Sequence, residues 1–188
     1  MNIRTIIDYS WLAVGIFWLV TSLMAKPAVR VQSVSSRLLH LCLTALGFVV
    51  IFNTSWRLGP LDERLIPPTK GFEYFGCVLT LVGILFSVWA RLYLGTNWSA
   101  SVTVKQDHTL VRSGPYAVVR HPIYTGFLFA ALGTAIAFGT IRCFVGVLLL
   151  TIGFRVKSLL EERFMQEQFG AQYLSYKQDV KALVPFIW

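Results

Sequence analysis

Two short stretches hold the residues best equipped for chemistry: Arg120-His121-Pro122-Ile123-Tyr124-Thr125-Gly126 and Arg155–Glu162. Proline suits the first turn of a helix, where its missing N–H costs nothing. It also steers the preceding residue out of the helical region, so His121 is predicted at the mouth of a helix starting at Pro122. Arg120 and His121 would then crown a helix N-terminus, where free N–H groups and a partial positive charge suit an anionic group such as a cofactor carboxylate. The plainer alternative has Arg120 touching lipid headgroups and His121 only capping the helix.

In the second stretch, Val156, Leu159, Leu160, Phe164, Met165 and Phe169 predict an amphipathic helix over Arg155–Phe169, ended by Gly170. Glu161 and Glu162 are neighbours about 100° apart on it, so one is expected to face a site while the other pairs elsewhere. Lys157 and Glu161 form an i,i+4 pair in the weaker orientation. A solvated charged face is the ordinary reading of such a cluster. Its position directly after an apolar run favours a functional one.

Other chemistries find no support. There is no glycine-rich phosphate loop, no nucleophile elbow and no zinc-protease motif. Cys42, Cys77 and Cys143 stand in apolar stretches without metal spacing, and are expected to be small buried hydrophobes. No metal is expected. The net charge of +8 does not form a run and gives no reason to expect nucleic acid.

The elements that must position these residues are membrane helices. Only 14% of the 188 residues are charged, too few to coat a soluble globule, and the mean hydropathy is +0.62. Charge-free windows mark spans at Tyr9–Ala25, Leu38–Trp56, Tyr74–Ala90 and Pro122–Ile141, with a short fifth at Cys143–Phe154 that could continue into the charged segment. The first reads as a retained anchor, because Ser22-Leu23-Met24-Ala25 lacks the small alternating residues of a cleavage site. Only Arg142 separates the last two windows, which predicts a tight helical hairpin. Gly126, Ala130, Gly133 and Ala137 make one face of the fourth span smooth enough for close packing.

The fold class is therefore all-α: a polytopic membrane bundle of about five transmembrane helices, in one domain over residues 1–188. Residues 1–90 supply three spans, and residues 91–188 the hairpin and the amphipathic helix. With the C-terminus inside, twelve lysines and arginines fall on the cytoplasmic side, and only Arg4, Arg57, Arg64, Lys70 and Arg142 fall outside. The positive-inside rule thus predicts N-outside, C-inside. The long loop Gly95–His121 is too apolar for disorder (Trp98, Val102, Leu110, Val111, Tyr116) and is expected to be ordered and to line a site.

The stretch His108-Thr109-Leu110-Val111-Arg112-Ser113-Gly114-Pro115-Tyr116, running into the His-Pro-x-Tyr-x-Gly element, closely resembles the isoprenylcysteine carboxyl methyltransferase family. So do Glu161-Glu162, Phe169-Gly170, Tyr173, Tyr176 and Leu183-Val184-Pro185-Phe186-Ile187, and Leu94–Ser99 matches the family's segment after the third span. The resemblance covers about residues 90 to 187. It implies a helical bundle whose C-terminal cytoplasmic half encloses S-adenosylmethionine. Carried over residue by residue, the cofactor-binding set is His108, Thr109, Leu110, Val111, Tyr116, His121, Pro122, Ile123, Tyr124 and Glu161, with Glu162. The family also holds the substrate carboxylate with a basic residue before the acidic pair. Arg155 and Lys157 both compete for that role.

The implied activity is methyl transfer from S-adenosylmethionine to a lipophilic acceptor, foremost the carboxylate of a prenylated cysteine, with membrane lipid around it and no nucleic acid. Such a carboxylate is already ionised and needs no general base, so the missing nucleophile and metal motifs fit. Positioning donor and acceptor in line can supply most of the acceleration. Alternatives are a phospholipid amine N-methyltransferase, which needs a base such as His121 or a glutamate; a sterol-reductase-like NADPH enzyme, since such reductases carry a similar Arg-His-Pro-x-Tyr element; and a membrane scaffold without catalysis.

Overall fold

The computed structural model describes residues 2–23, 30–31, 34–95, 103–104 and 110–185. Among the described residues, six α-helices carry the fold: α1 (Ile3–Ser22), α2 (Val34–Phe52), α3 (Lys70–Leu94), α4 (Pro122–Phe138), α5 (Ile141–Phe169) and α6 (Ala171–Asp179). A ribbon of two two-residue strands, β1 (Arg30–Val31) and β2 (Thr103–Val104), pairs antiparallel. Of these helices, α1, α3 and α5 are long and apolar enough to cross a membrane. The apolar runs of α2 and α4 are shorter, at Arg37–Phe52 and Pro122–Phe138. Outward-facing Leu12, Ile16, Leu19, Phe75, Val78, Val82 and Leu85 are all more than half exposed, an apolar coat suited to lipid.

The closest helix pairing is α3 against α4. A Cβ added at Gly83 would stand 2.5 Å from the Ala130 nitrogen, and one at Gly126 2.3 Å from Ser87 Oγ. The small-residue face of α4 is thus a packing face, as expected. Ser87 Oγ crosses the seam to donate to the Ile123 carbonyl at 2.9 Å, and Trp11 Nε1 ties α1 to Thr134 Oγ1 at 2.9 Å. Without a hydrophobic force between helices in lipid, such close approach and cross-helix bonds hold the bundle. A second seam joins α2 to α5, where a Cβ at Gly146 would meet Ile51 Cγ1 at 2.5 Å and the Gly47 carbonyl at 2.8 Å.

Several boundaries differ from the charge-free windows. α4 stops at Phe138 because Gly139 takes a left-handed conformation (φ 72°, ψ 6°), and the turn runs through Gly139 and Thr140. Arg142 is therefore not the turn. It sits buried in the first turn of α5, with Nε donating to the Val50 carbonyl at 3.0 Å and Nη1 paired with Asp62 Oδ1 at 3.1 Å. α2 ends at Phe52, before Trp56. The fifth window is the first half of one continuous 29-residue helix, about 43 Å long, that carries its charged segment beyond the apolar stretch. Cys77 and Cys143 are buried, but Cys42 is exposed on the outer face of α2, beside exposed Leu38, Leu39 and Leu41.

These contacts sort the residues to two ends of the bundle. Arg4, whose guanidinium lies over Phe138 at 4.3 Å, marks one end together with Asp62 and Arg142. The start of α4, the second half of α5 and α6 mark the other, where Arg91 at the end of α3 also reaches the Thr21 carbonyl at the end of α1 (2.9 Å).

Candidate active site

The site grows from the entry into α4. His121 occupies the N-cap position with a non-helical backbone (φ −123°, ψ 61°), and Pro122 opens the helix, as the sequence order requires. The two residues before the proline bond through their backbone to the chain's last described segment. Arg120 N–H donates to the Lys181 carbonyl at 2.8 Å and His121 N–H to the Ala182 carbonyl at 3.0 Å. One turn on, Thr125 Oγ1 donates to the Leu183 carbonyl at 2.7 Å.

α5 brings both glutamates to this point. The His121 ring lies between them, Nδ1 3.4 Å from Glu161 Oε2 and Nε2 3.3 Å from Glu162 Oε1. Tyr124, one turn into α4, donates its hydroxyl to Glu161 Oε1 at 2.5 Å. Its ring stacks between His121 (centroids 5.6 Å apart) and Phe154 of α5 (5.0 Å). Burial alone would lower the His121 pKa, but hydrogen bonds and negative charge from Glu161 and Glu162 outweigh it and raise it above the ordinary value.

The two glutamates have different surroundings. Glu162 is buried among cations: Arg120 Nη2 at 2.7 Å and Lys177 Nζ of α6 at 2.9 Å, besides His121. The Glu161 side chain keeps 23% of its surface open. Both meet His121, and only Glu162 is enclosed as well by the cations beyond it. The buried stripe of this segment is only partly the apolar one expected from its pattern: Phe164 is buried and Val156, Leu160, Met165 and Phe169 are partly buried. Leu159 is exposed, whereas Ser158 and Glu162 are buried, because the cations of α6 and of the segment before α4 satisfy Glu162. Arg120 is likewise committed: Nη1 donates to the Lys177 and Val180 carbonyls while Nη2 and Nε hold Glu162. It is not left free for lipid headgroups or a cofactor carboxylate.

Of the other expected residues, Tyr116 and Ile123 are buried in one cluster with Ala90, against which half-buried Val111 packs. The Tyr116 hydroxyl donates to the Ala90 carbonyl at 3.4 Å, and its own carbonyl accepts from the Tyr176 hydroxyl at 2.5 Å. Pro122 is fully buried and Leu110 half-buried. His108 and Thr109 lie outside the described residues. Lys157 Nζ stands 5.4 Å from the centre of the Tyr124 ring, while Arg155 Nη1 turns back to Ser158 Oγ at 3.4 Å. Sequence reasoning missed Lys177 and buried His40 of α2, which feels the charges of Lys157 and Glu161. Neither carries a local signal, since each reaches the site only through helix packing. Among the described residues no group of three or more His, Cys, Asp or Glu could hold a metal.

Fold and site together define an integral membrane protein of helical type, with a charged site at one end of its apolar helices. A family model described as phospholipid methyltransferase matches residues 72–172, a stretch that includes every residue of the His121–Glu161–Glu162 cluster. The chain belongs to the phospholipid methyltransferase family. Among its relatives, the protein-S-isoprenylcysteine O-methyltransferase of Xenopus laevis is 32% identical over 164 residues, covering 84% of this chain and 56% of the relative. That of Saccharomyces cerevisiae is 32% identical over 139 residues, covering 68% and 58%. The solved structure of a eukaryotic intramembrane Ras methyltransferase, isoprenylcysteine carboxyl methyltransferase, matches with a TM-score of 0.61 at 25% identity, over 83% of this chain and 55% of that one. The chain thus spans little more than half the length of these relatives.

Proposed function

We propose that this chain transfers the methyl group of S-adenosylmethionine to a lipophilic acceptor, foremost the carboxylate of a prenylated cysteine. The observation that carries the reading is the junction of Tyr124, His121 and Glu161, built where α4 begins and where α5 leaves its apolar stretch. Membership of a methyltransferase family and relatives named for isoprenylcysteine methylation support it.

The donor set fits S-adenosylmethionine. When bound, the cofactor supplies an electrophilic methyl group on a cationic sulfur. Glu161, partly open and ionised beside His121, is a suitable acceptor for ribose hydroxyls or an amino group, and favours positive charge nearby. Tyr124 orients Glu161 through its hydroxyl, while its ring is held between His121 and Phe154. Val111, Tyr116 and Ile123 form an apolar floor, and Leu110, His108 and Thr109 are assigned to the same cofactor segment. Pro122 fixes where the helix starts. Glu162 belongs to the support of His121 rather than to the cofactor surface, since its oxygens are taken by Arg120, Lys177 and His121.

Between the two candidates for the acceptor's carboxylate, Lys157 is favoured. It lies over Tyr124 on the side of the site, whereas Arg155 bonds within its own helix turn. A lysine is a point charge without the bidentate fork of arginine, so it anchors a carboxylate with less geometric selectivity. Phospholipid amine N-methylation is the second reading, favoured by the description of the matching family. It needs a base, and His121, held toward its protonated form by two carboxylates, is poorly suited. Glu161 would have to serve.

The proposed topology is five crossings, N-outside and C-inside. α2 and α4 cross as shorter apolar helices, and the end bearing His121, Glu161 and Lys177 faces the cytoplasm. The grouping of lysines and arginines supports this orientation. Calorimetric titration of the purified protein with S-adenosylmethionine and, separately, with NADPH tests the class. Binding of the first alone is expected. Binding of NADPH alone would support a reductase, and binding of neither a scaffold.

A further inference from the structure

The least expected partner of the site comes from outside both segments that build it. α6 has half-exposed Lys177 in its last turn, and Lys177 Nζ meets Glu162 Oε2 at 2.9 Å. The opposite oxygen, Oε1, is shared by Arg120 Nη2 (2.7 Å) and His121 Nε2 (3.3 Å). Arg120 in turn donates to the carbonyls of Lys177 and Val180, so the two cations and the end of α6 form one closed circuit around one carboxylate. A second strut, the Tyr176 hydroxyl on the Tyr116 carbonyl, fastens the same helix to the segment before α4.

We propose that Lys177 is a positioning residue for His121: by fixing Glu162 from the far side, it sets the orientation and the charge state of the imidazole that faces Glu161. Glu162 has two oxygens; Lys177 takes one, which aims the other at Arg120 and His121. With Glu162 so held, the ring is trapped with Nε2 toward Glu162 and Nδ1 toward Glu161. Arg120 does the same from the near side, but it is buried and also ties down the end of α6. Lys177, with 43% of its side chain exposed, can be changed without opening a hole. The groups facing His121 and its partners are Glu161 and Glu162 from α5, Tyr124 from α4, Arg120 beside it, and Lys177 with Tyr173 from α6, with Lys157 beyond the Tyr124 ring. Removing one cation from this set leaves the two carboxylates less neutralised, so the imidazolium gains.

The inference rests on the proposed role of His121 at the methyl-transfer site, yet its first test needs neither cofactor nor turnover. The full chain is labelled with 15N-histidine in detergent micelles, and His121 is assigned by the loss of its signal in His121→Gln. Its titration midpoint is then followed by NMR in the wild type and in Lys177→Met. An upward shift of roughly half to one pH unit is expected, from one charge removed at the edge of a partly exposed cluster. Lys177→Arg restores the original midpoint. Glu162→Gln moves it downward, because one of the two carboxylates is lost. An unchanged midpoint in Lys177→Met, whatever the loss of thermal stability, would overturn the proposal, as would a Glu162→Gln midpoint that does not fall. Where methyl transfer is measurable, Lys177→Met lowers kcat several-fold and leaves KM for the acceptor unchanged. If S-adenosylmethionine does not bind while the midpoints move as stated, the methyltransferase reading fails and the positioning role stands.

Discussion

The Tyr124 hydroxyl donates to Glu161 Oε1 at 2.5 Å, joining the first turn of α4 to the charged half of α5. The same carboxylate turns its other oxygen to His121 Nδ1 at 3.4 Å, so Glu161 is oriented from two sides while part of it stays open. A carboxylate held this way is ready to accept from a ligand without first reorganising.

Tyr124→Phe removes the bond and keeps the ring stack on Phe154. A hydrogen bond to a charged group contributes about 1.5–3 kcal/mol, and each 1.4 kcal/mol is about tenfold in affinity. S-adenosylmethionine binding is expected to weaken by about tenfold in calorimetric titration, and Tm to fall as well, because the bond is already made in the unliganded fold. Glu161→Gln weakens it at least as much, because charge is lost as well. Unchanged affinity in both variants would remove Glu161 from the cofactor surface.

His121 carries a pH signature. Its pKa is raised in the folded protein, so the stabilisation from its charged form is fully present below the unfolded histidine value of about 6.5. It is lost as pH rises through the folded value. Thermal melts in micelles from about pH 6 to pH 9 are therefore expected to show the advantage of the wild type over His121→Gln shrinking as pH rises. An advantage that grows with pH would mean that the ring is held neutral.

The seam between α3 and α4 has no room for side chains. Gly83→Leu drives atoms into the Ala130 and Gly126 backbone and is expected to destabilise by about 1–3 kcal/mol or more. Gly15 of α1 has nothing within 4 Å of an added Cβ. Gly15→Ala is expected to stabilise by about 0.5–1 kcal/mol through helix propensity. Tm measurements on the two variants separate packing from propensity.

Lys157 and Arg155 make different predictions. Lys157→Met raises KM for a prenylcysteine acceptor by about tenfold, the loss of one charge-assisted contact, and leaves S-adenosylmethionine affinity near wild type. Arg155→Met changes either quantity little. Steady-state kinetics with both variants would reveal a reversed assignment directly.

Much of this architecture was legible because membrane helices announce themselves by missing charge, and because a proline fixes a helix start locally. His121, Pro122 and Tyr124 lie within one turn, and the adjacent glutamates needed only a helix to be placed. The helix ends were less legible. A charge-free window stops at Arg155, whereas the backbone bonds of α5 continue regardless of charge to Gly170. The fourth charge-free window runs to Ile141, but left-handed Gly139 ends α4 before it. Lys177 was invisible for a different reason: its pairing with Glu162 depends on α6 folding back, a tertiary contact with no spacing rule. Arg120 could have been read further, since its place beside His121 put it within reach of whatever partnered the imidazole.

Methyl transfer to a carboxylate is tested most directly with radiolabelled S-adenosylmethionine. Purified protein in liposomes is offered a farnesylcysteine analogue or phosphatidylethanolamine, and the labelled product is treated with base. Label on the cysteine analogue that is released as methanol is the predicted result. Alkali-stable label on the phospholipid, or no transfer to either acceptor, would contradict it.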